Sequence, residues 1–118
     1  MIKNKNILES FVHAAHGLSE SFSDQRNVPI ILIIGVIVVI VSLFLKLSVV
    51  EYMILSVTIT LVLMAELFNA AIENTIDLIT QEFHPLAKAA KDIAATAVMV
   101  TCLNAVIVAA LFVAGRVW

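Results

Sequence analysis

A single cysteine in 118 residues, Cys102, has no partner for an intrachain disulfide and cannot form a thiolate metal cage. It lies in an apolar segment and reads as inert packing. With 3 glycines and 2 prolines there is no flexible or low-complexity linker, and neither an internal repeat nor a second domain is visible. Charge is scarce as well. Charged residues make up 14% of the chain, where a soluble domain carries about a quarter. The 7 basic residues are scattered and the net charge is −2, so no basic patch exists to hold nucleic acid. What is abundant is hydrophobicity, at 62% of residues. The composition is that of a small integral membrane protein.

The apolar residues fall into ordered stretches. Over residues 6–22, Ile7, Leu8, Phe11, Val12, Ala15, Leu18 and Phe22 share one face, while Glu9, His13, His16 and Glu20 lie on the others. This spacing predicts an amphipathic helix lying in the membrane interface. Ser23 to Asn27 break the pattern, and Pro29 suits the first turn of a new helix. The uncharged run from Val28 to Leu45 is long enough to span a bilayer. Because that first run starts only at Val28, after an amphipathic segment, and no small-residue cleavage pattern follows it, a cleaved signal peptide is not expected.

Lys46 ends the first span, and a tight turn returns the chain antiparallel into a second span starting near Tyr52. A break is expected at His84, which precedes Pro85. A third helix then runs to about Arg116, interrupted in its apolar part only by Thr96, Thr101 and Asn104, which are expected to bond between helices. The expected architecture is one all-α membrane domain over residues 1–118. It has a surface helix at about 6–22 and spans at about 28–46, 50–80 and 86–116. Lys3, Lys5, Arg26, Lys88 and Lys91 fall on one side of the membrane, and Lys46 and Arg116 on the other. The positive-inside rule puts the first group, with the N-terminus and the 81–92 connection, in the cytoplasm.

Against this apolar background the second span carries a column of polar residues. Glu66, Asn69, Glu73 and Asp77 are spaced three, four and four apart. At about 100° per residue they share an arc of roughly 80°. Intramembrane acids are costly and mark ion or reaction sites. Magnesium is held by one or two carboxylates, with waters and substrate phosphates completing its shell. Glu73 and Asp77, at the cytoplasmic end, offer such oxygens. Lys88 and Lys91, in the first turns of the third helix, offer cations where helix amides also favour anions. Together these groups point to phosphoryl transfer, which needs positioning and charge neutralisation. Glu66 lies deeper, where a carboxylate can take a proton from a lipid hydroxyl.

Plainer readings exist for single residues. Asp77 alone reads as part of a solvated helix end, Lys88 as a snorkelling side chain, and Lys88 with Asp92 as a weak surface pair. A different class of function is a small oligomeric cation or proton transporter. It would need polar groups through the other half of the span, where residues 52–65 offer only Ser56, Thr58 and Thr60.

The segment Ala65-Glu-Leu-Phe-Asn-Ala-Ala-Ile-Glu-Asn-Thr-Ile-Asp77 resembles the signature of the prokaryotic diacylglycerol kinase and undecaprenol kinase family. Ala90-Lys91-Asp92 is similar to that family's second motif, and residues 11–27 to its amphipathic start. The resemblance covers nearly the whole chain. It implies an ATP- and magnesium-dependent lipid kinase of the bacterial inner (plasma) membrane, assembled as a homotrimer with sites between subunits. By it, Glu66 matches the general base, Asn69 a polar residue of the same centre, and Glu73 a magnesium ligand. Asp77, Lys91, Asp92 and the Glu82-Phe83-His84 segment match nucleotide-site residues. One position departs from the pattern. The family's second metal-binding glutamate is Gln25 here, with an amide oxygen but no charge. The acceptor would be diacylglycerol or undecaprenol. The segment from His84 to Lys88 is more similar to the undecaprenol kinase branch.

Overall fold

The computed structural model describes residues 6–24 and 27–117, with only the backbone described at residues 23 and 24. Gln25, and with it Lys3, Lys5 and Arg26 of the charge asymmetry, lies outside the described residues. The architecture is all-helical: α1 (Ile7–Asp24), α2 (Asn27–Leu45), α3 (Val49–Ile79) and α4 (Pro85–Val117). The last three are each long and apolar enough to cross a membrane.

Each helix end has a local cause. Lys46 follows α2 in the left-handed region, at φ 52°, the conformation that closes many helix C-termini. Ser48 then caps α3. Its Oγ accepts from the Glu51 N–H at 3.2 Å, and Glu51 Oε1 accepts from the Ser48 N–H at 3.1 Å. This reciprocal capping box starts the helix at Val49, a turn earlier than the apolar run beginning at Tyr52 implies. We expect Ser48→Ala to lower stability by about 1 kcal/mol, the usual value of such a cap, read as a lower thermal midpoint in micelles.

α3 and α4 form the main packed pair, antiparallel across the short connection at residues 80–84. At the end away from that connection, Arg116 closes a fork on Glu51. Its Nη1 donates to Oε2 at 2.8 Å and its Nη2 to Oε1 at 3.1 Å. α2 leans on α3, helped by the Tyr52 hydroxyl donating to the Ser42 carbonyl at 3.2 Å. α1 touches both α2 and α3, whereas the backbones of α2 and α4 do not approach closely among the described residues.

The result is a slab of 52 × 39 × 20 Å, about two helices thick. Its buried apolar residues are only Val28, Ala70 and Ala94 among those described, while Ile, Val, Leu and Phe cover the outside. Such a surface has no driving force to collapse if lipid surrounds it, because acyl chains are as apolar as leucine.

Two threonines depart from the expectation of bonding between helices. Thr96 Oγ1 donates to the Asp92 carbonyl at 2.8 Å and Thr101 Oγ1 to the Val98 carbonyl at 2.7 Å, both within α4. A hydroxyl among apolar neighbours takes the nearest acceptor, one turn back on its own helix. Asn104 is exposed.

Candidate functional site

The polar column on α3 grades from dry to wet along the helix. Glu66 is 1% exposed and Asn69 7%, Glu73 is half-buried and Asp77 exposed. Helical spacing alone puts them on one face. The packing of α3 within the bundle covers the first two and leaves the last two near the mouth of the α3–α4 pair.

Glu66 and Asn69 carry the least satisfied polar atoms of the described chain. Glu66 Oε1 and Asn69 Oδ1 are buried without a hydrogen-bond partner. A buried polar atom left unpaired costs about 1–3 kcal/mol, more if charged, so such atoms call for an explanation. The Asn69 amide donates from Nδ2 to Glu73 Oε1 at 3.4 Å, a long bond that links the deep and shallow halves of the column.

At the shallow end the two helices carry charges opposite to what each alone prefers. A helix C-terminus favours cations and an N-terminus favours anions. Yet α3 has no basic residue in its last turn and carries Asp77 there, while α4 has no acid in its first turn and carries Lys88. Part of the conflict is relieved across the pair, since Lys91 Nζ donates to Asp77 Oδ1 at 2.7 Å. Lys88 Nζ donates to Asp92 Oδ2 at 2.6 Å, one turn along its own helix. Both pairs are substantially exposed, and such pairs are worth little, so either lysine can leave its carboxylate for a stronger anion.

The connection between the helices is held by its own polar groups. The Thr80 N–H closes α3 on the Ile76 carbonyl at 2.9 Å, and Thr80 Oγ1 accepts from the Glu82 N–H at 3.1 Å. Phe83 projects outward, 80% exposed, and Glu82 is exposed beside it. His84 is exposed as well, and its Nδ1 accepts from the Leu86 N–H at 3.1 Å.

The structure thus brings Asn69 to Glu73, Asp77 to Lys91 and Lys88 to Asp92. It leaves Glu66 apart from all of these and places Glu82, Phe83 and His84 on the adjoining turn. No three His, Cys, Asp or Glu side chains converge as a ready metal cage among the described residues. Magnesium does not need one, because one carboxylate with substrate phosphates and water suffices. Glu73, half-buried near the C-terminal end of α3 and bonded among the described residues by a neutral amide, has the donor chemistry for that role. The sequence did not reveal a groove of about 380 Å³ on a neighbouring face of α3. It is lined in part by Gly17 and Ser21 of α1 and by Leu67, Ala70 and Ala71. Its sign in the sequence is small residues four apart on α1 facing a pair of alanines.

A model of the family described as prokaryotic diacylglycerol kinase matches residues 12–113. Among curated proteins, the undecaprenol kinase of Bacillus subtilis is 46% identical over 99 residues, which cover 84% of this chain and 78% of that one. A diacylglycerol kinase of Synechocystis is 42% identical over 104 residues, covering 87% of this chain and 59% of that protein. The diacylglycerol kinase of Escherichia coli is 30% identical over 90 residues, covering 76% and 70%.

Proposed function

Because the chain belongs to the prokaryotic diacylglycerol kinase family, we propose that it is a membrane lipid kinase, with ATP as donor and the primary hydroxyl of a lipid alcohol as acceptor. The observation that carries this reading is Glu66, whose buried Oε1 lacks a partner on the same helix that carries half-buried Glu73 and exposed Asp77 toward its C-terminal end. A proton acceptor at lipid depth and anion- and cation-binding groups at water depth are what a kinase of lipids requires.

In the reaction, Glu66 takes the hydroxyl proton as the hydroxyl oxygen bonds to the γ-phosphorus of ATP. The bond to the β–γ bridging oxygen breaks and ADP leaves with that electron pair. Burial of Glu66 keeps bulk water from competing for the phosphoryl group. Asn69 orients the Glu73 carboxylate through the bond at 3.4 Å. Glu73 is the residue that would hold magnesium, which when bound neutralises charge on the ATP phosphates. Gln25 would add at most a neutral oxygen to that shell. Lys91 exchanges Asp77 for phosphate, Lys88 can exchange Asp92 in the same way, and exposed Phe83 offers a face for the adenine ring.

The site lies on the cytoplasmic side, where the charge asymmetry of the sequence puts the α3–α4 connection. α1 would lie along that interface with its apolar face in lipid. A slab 20 Å thick is too thin to wrap both a lipid and a nucleotide, which supports a site shared between subunits; that the assembly is a homotrimer is what the resemblance to the family implies. The acceptor is diacylglycerol or undecaprenol. Nothing in the fold or the comparisons supports the transporter reading.

The test is transfer of labelled phosphate from ATP to each alcohol in mixed micelles with magnesium present. Phosphorylation of one or both is expected, and the preferred alcohol names the acceptor. Absence of label in both overturns the reading.

A further inference from the structure

The first donors of α4 show how its start is held. Pro85, at the first helical position, has no N–H to satisfy. The Leu86 N–H goes to His84 Nδ1 at 3.1 Å, and the Lys88 N–H goes to the His84 carbonyl at 3.0 Å. One residue therefore supplies both a side-chain and a backbone acceptor to the first turn. No Ser, Thr, Asn or Asp, the usual caps, lies between Gln81 and Pro85 to do this instead. Since Nδ1 accepts, the neutral ring carries its proton on Nε2, and only that edge is open to a ligand.

We propose that His84 is a positioning residue, whose imidazole caps α4 and so fixes the turn from which Lys88 and Lys91 meet the phosphates. This rests on the lipid kinase reading for its consequence, though not for the cap itself. Lys88 is bound through its own N–H to the capping residue, and Lys91 is one turn further on. If the first turn frays, Lys88 loses its anchor and the Asp77–Lys91 pair loses the rigid base that sets its reach. The resemblance makes His84 a nucleotide contact. The geometry instead commits its Nδ1 to the backbone, so its effect on ATP passes largely through the lysines.

The two roles separate by substitution. Asn is a strong cap but carries no ring, so His84→Asn keeps the cap and removes any imidazole contact. Two measurements on the full-length protein in micelles read the result: amide exchange at Leu86, and KM for ATP against kcat. With His84→Ala, Leu86 protection is expected to fall and KM to rise about five-fold, the equivalent of one typical lost cap, with kcat nearly unchanged. With His84→Asn both should return toward the wild-type values. Restored protection with an unrestored KM would overturn the proposal, because the ring would then act on the nucleotide directly. Unchanged protection in His84→Ala would overturn it too. If the wild-type protein transferred no phosphate, the kinase reading would fall, and Leu86 exchange would still decide whether His84 is the cap.

Discussion

Glu66→Gln should leave a folded protein that transfers almost no phosphate. A positioned general base contributes about 10²–10⁴-fold, so kcat should fall by roughly three orders of magnitude. KM for ATP should hardly move, since Glu66 is far along α3 from the lysine pairs and bonds to none of them. The stability readout should run the other way. Glu66 is 1% exposed and its Oε1 is buried without a hydrogen-bond partner, so burial of that oxygen carries a cost with no bond to offset it. A neutral amide of nearly the same shape lessens that cost, and the thermal midpoint in micelles should hold or rise. Lost activity with kept or gained stability is the mark of a residue held for chemistry rather than for the fold.

The combination decides between readings that activity alone would confuse. If Glu66 were structural, Gln would lower stability and activity together. If transfer persisted near the wild-type rate, the proton would have to go elsewhere. The nearest polar side chain on the column is Asn69, an amide with no basic character, and Glu73 is two turns away along α3. Labelled-phosphate transfer and thermal unfolding on the same preparation measure both quantities.

The apolar runs made the long helices legible in the sequence, because a span needs little more than length and the absence of charge. The spacing of Glu66, Asn69, Glu73 and Asp77 made their shared face legible for the same geometric reason. How deeply each is covered was not, because burial depends on which helices pack against α3. The Ser48–Glu51 box was present as a serine three before a glutamate; the expected span bound of about 50 lies one residue from the observed start at Val49, though the uncharged run itself begins only at Tyr52. The fork between Arg116 and Glu51 joins residues 65 apart. It exists because α3 and α4, at 31 and 33 residues, run antiparallel at matched lengths, which no local pattern reveals. His84 read as a break before Pro85 and not as a cap, because a ring nitrogen is an unusual cap. Thr96 and Thr101 were misjudged because the nearest acceptor for a helical hydroxyl lies one turn back on its own helix.

Glu73→Gln should lower transfer by about a hundredfold or more at fixed magnesium, since a metal ion contributes several kcal/mol of charge stabilisation at a phosphoryl group. The substitution is mild in shape. The Gln oxygen can still accept the Asn69 amide, so the 3.4 Å bond survives and only the charge is lost. The lost charge should appear as a higher magnesium requirement, with activity partly recovered as magnesium is raised. Asp77→Asn should do less to that requirement, because Asp77 is exposed and already holds Lys91 at 2.7 Å. Its loss would instead free Lys91 and alter KM for ATP. The contrast follows from what each acid already holds, a lysine at Asp77 and a neutral amide at Glu73. Lys91 at Asp77 and the magnesium proposed for Glu73 should therefore respond to different substitutions. Magnesium titrations of the two variants side by side measure this. Were Asp77→Asn to shift the magnesium requirement while Glu73→Gln left it unchanged, the metal would belong one turn further along the helix, and Glu73 would serve only to orient Asn69.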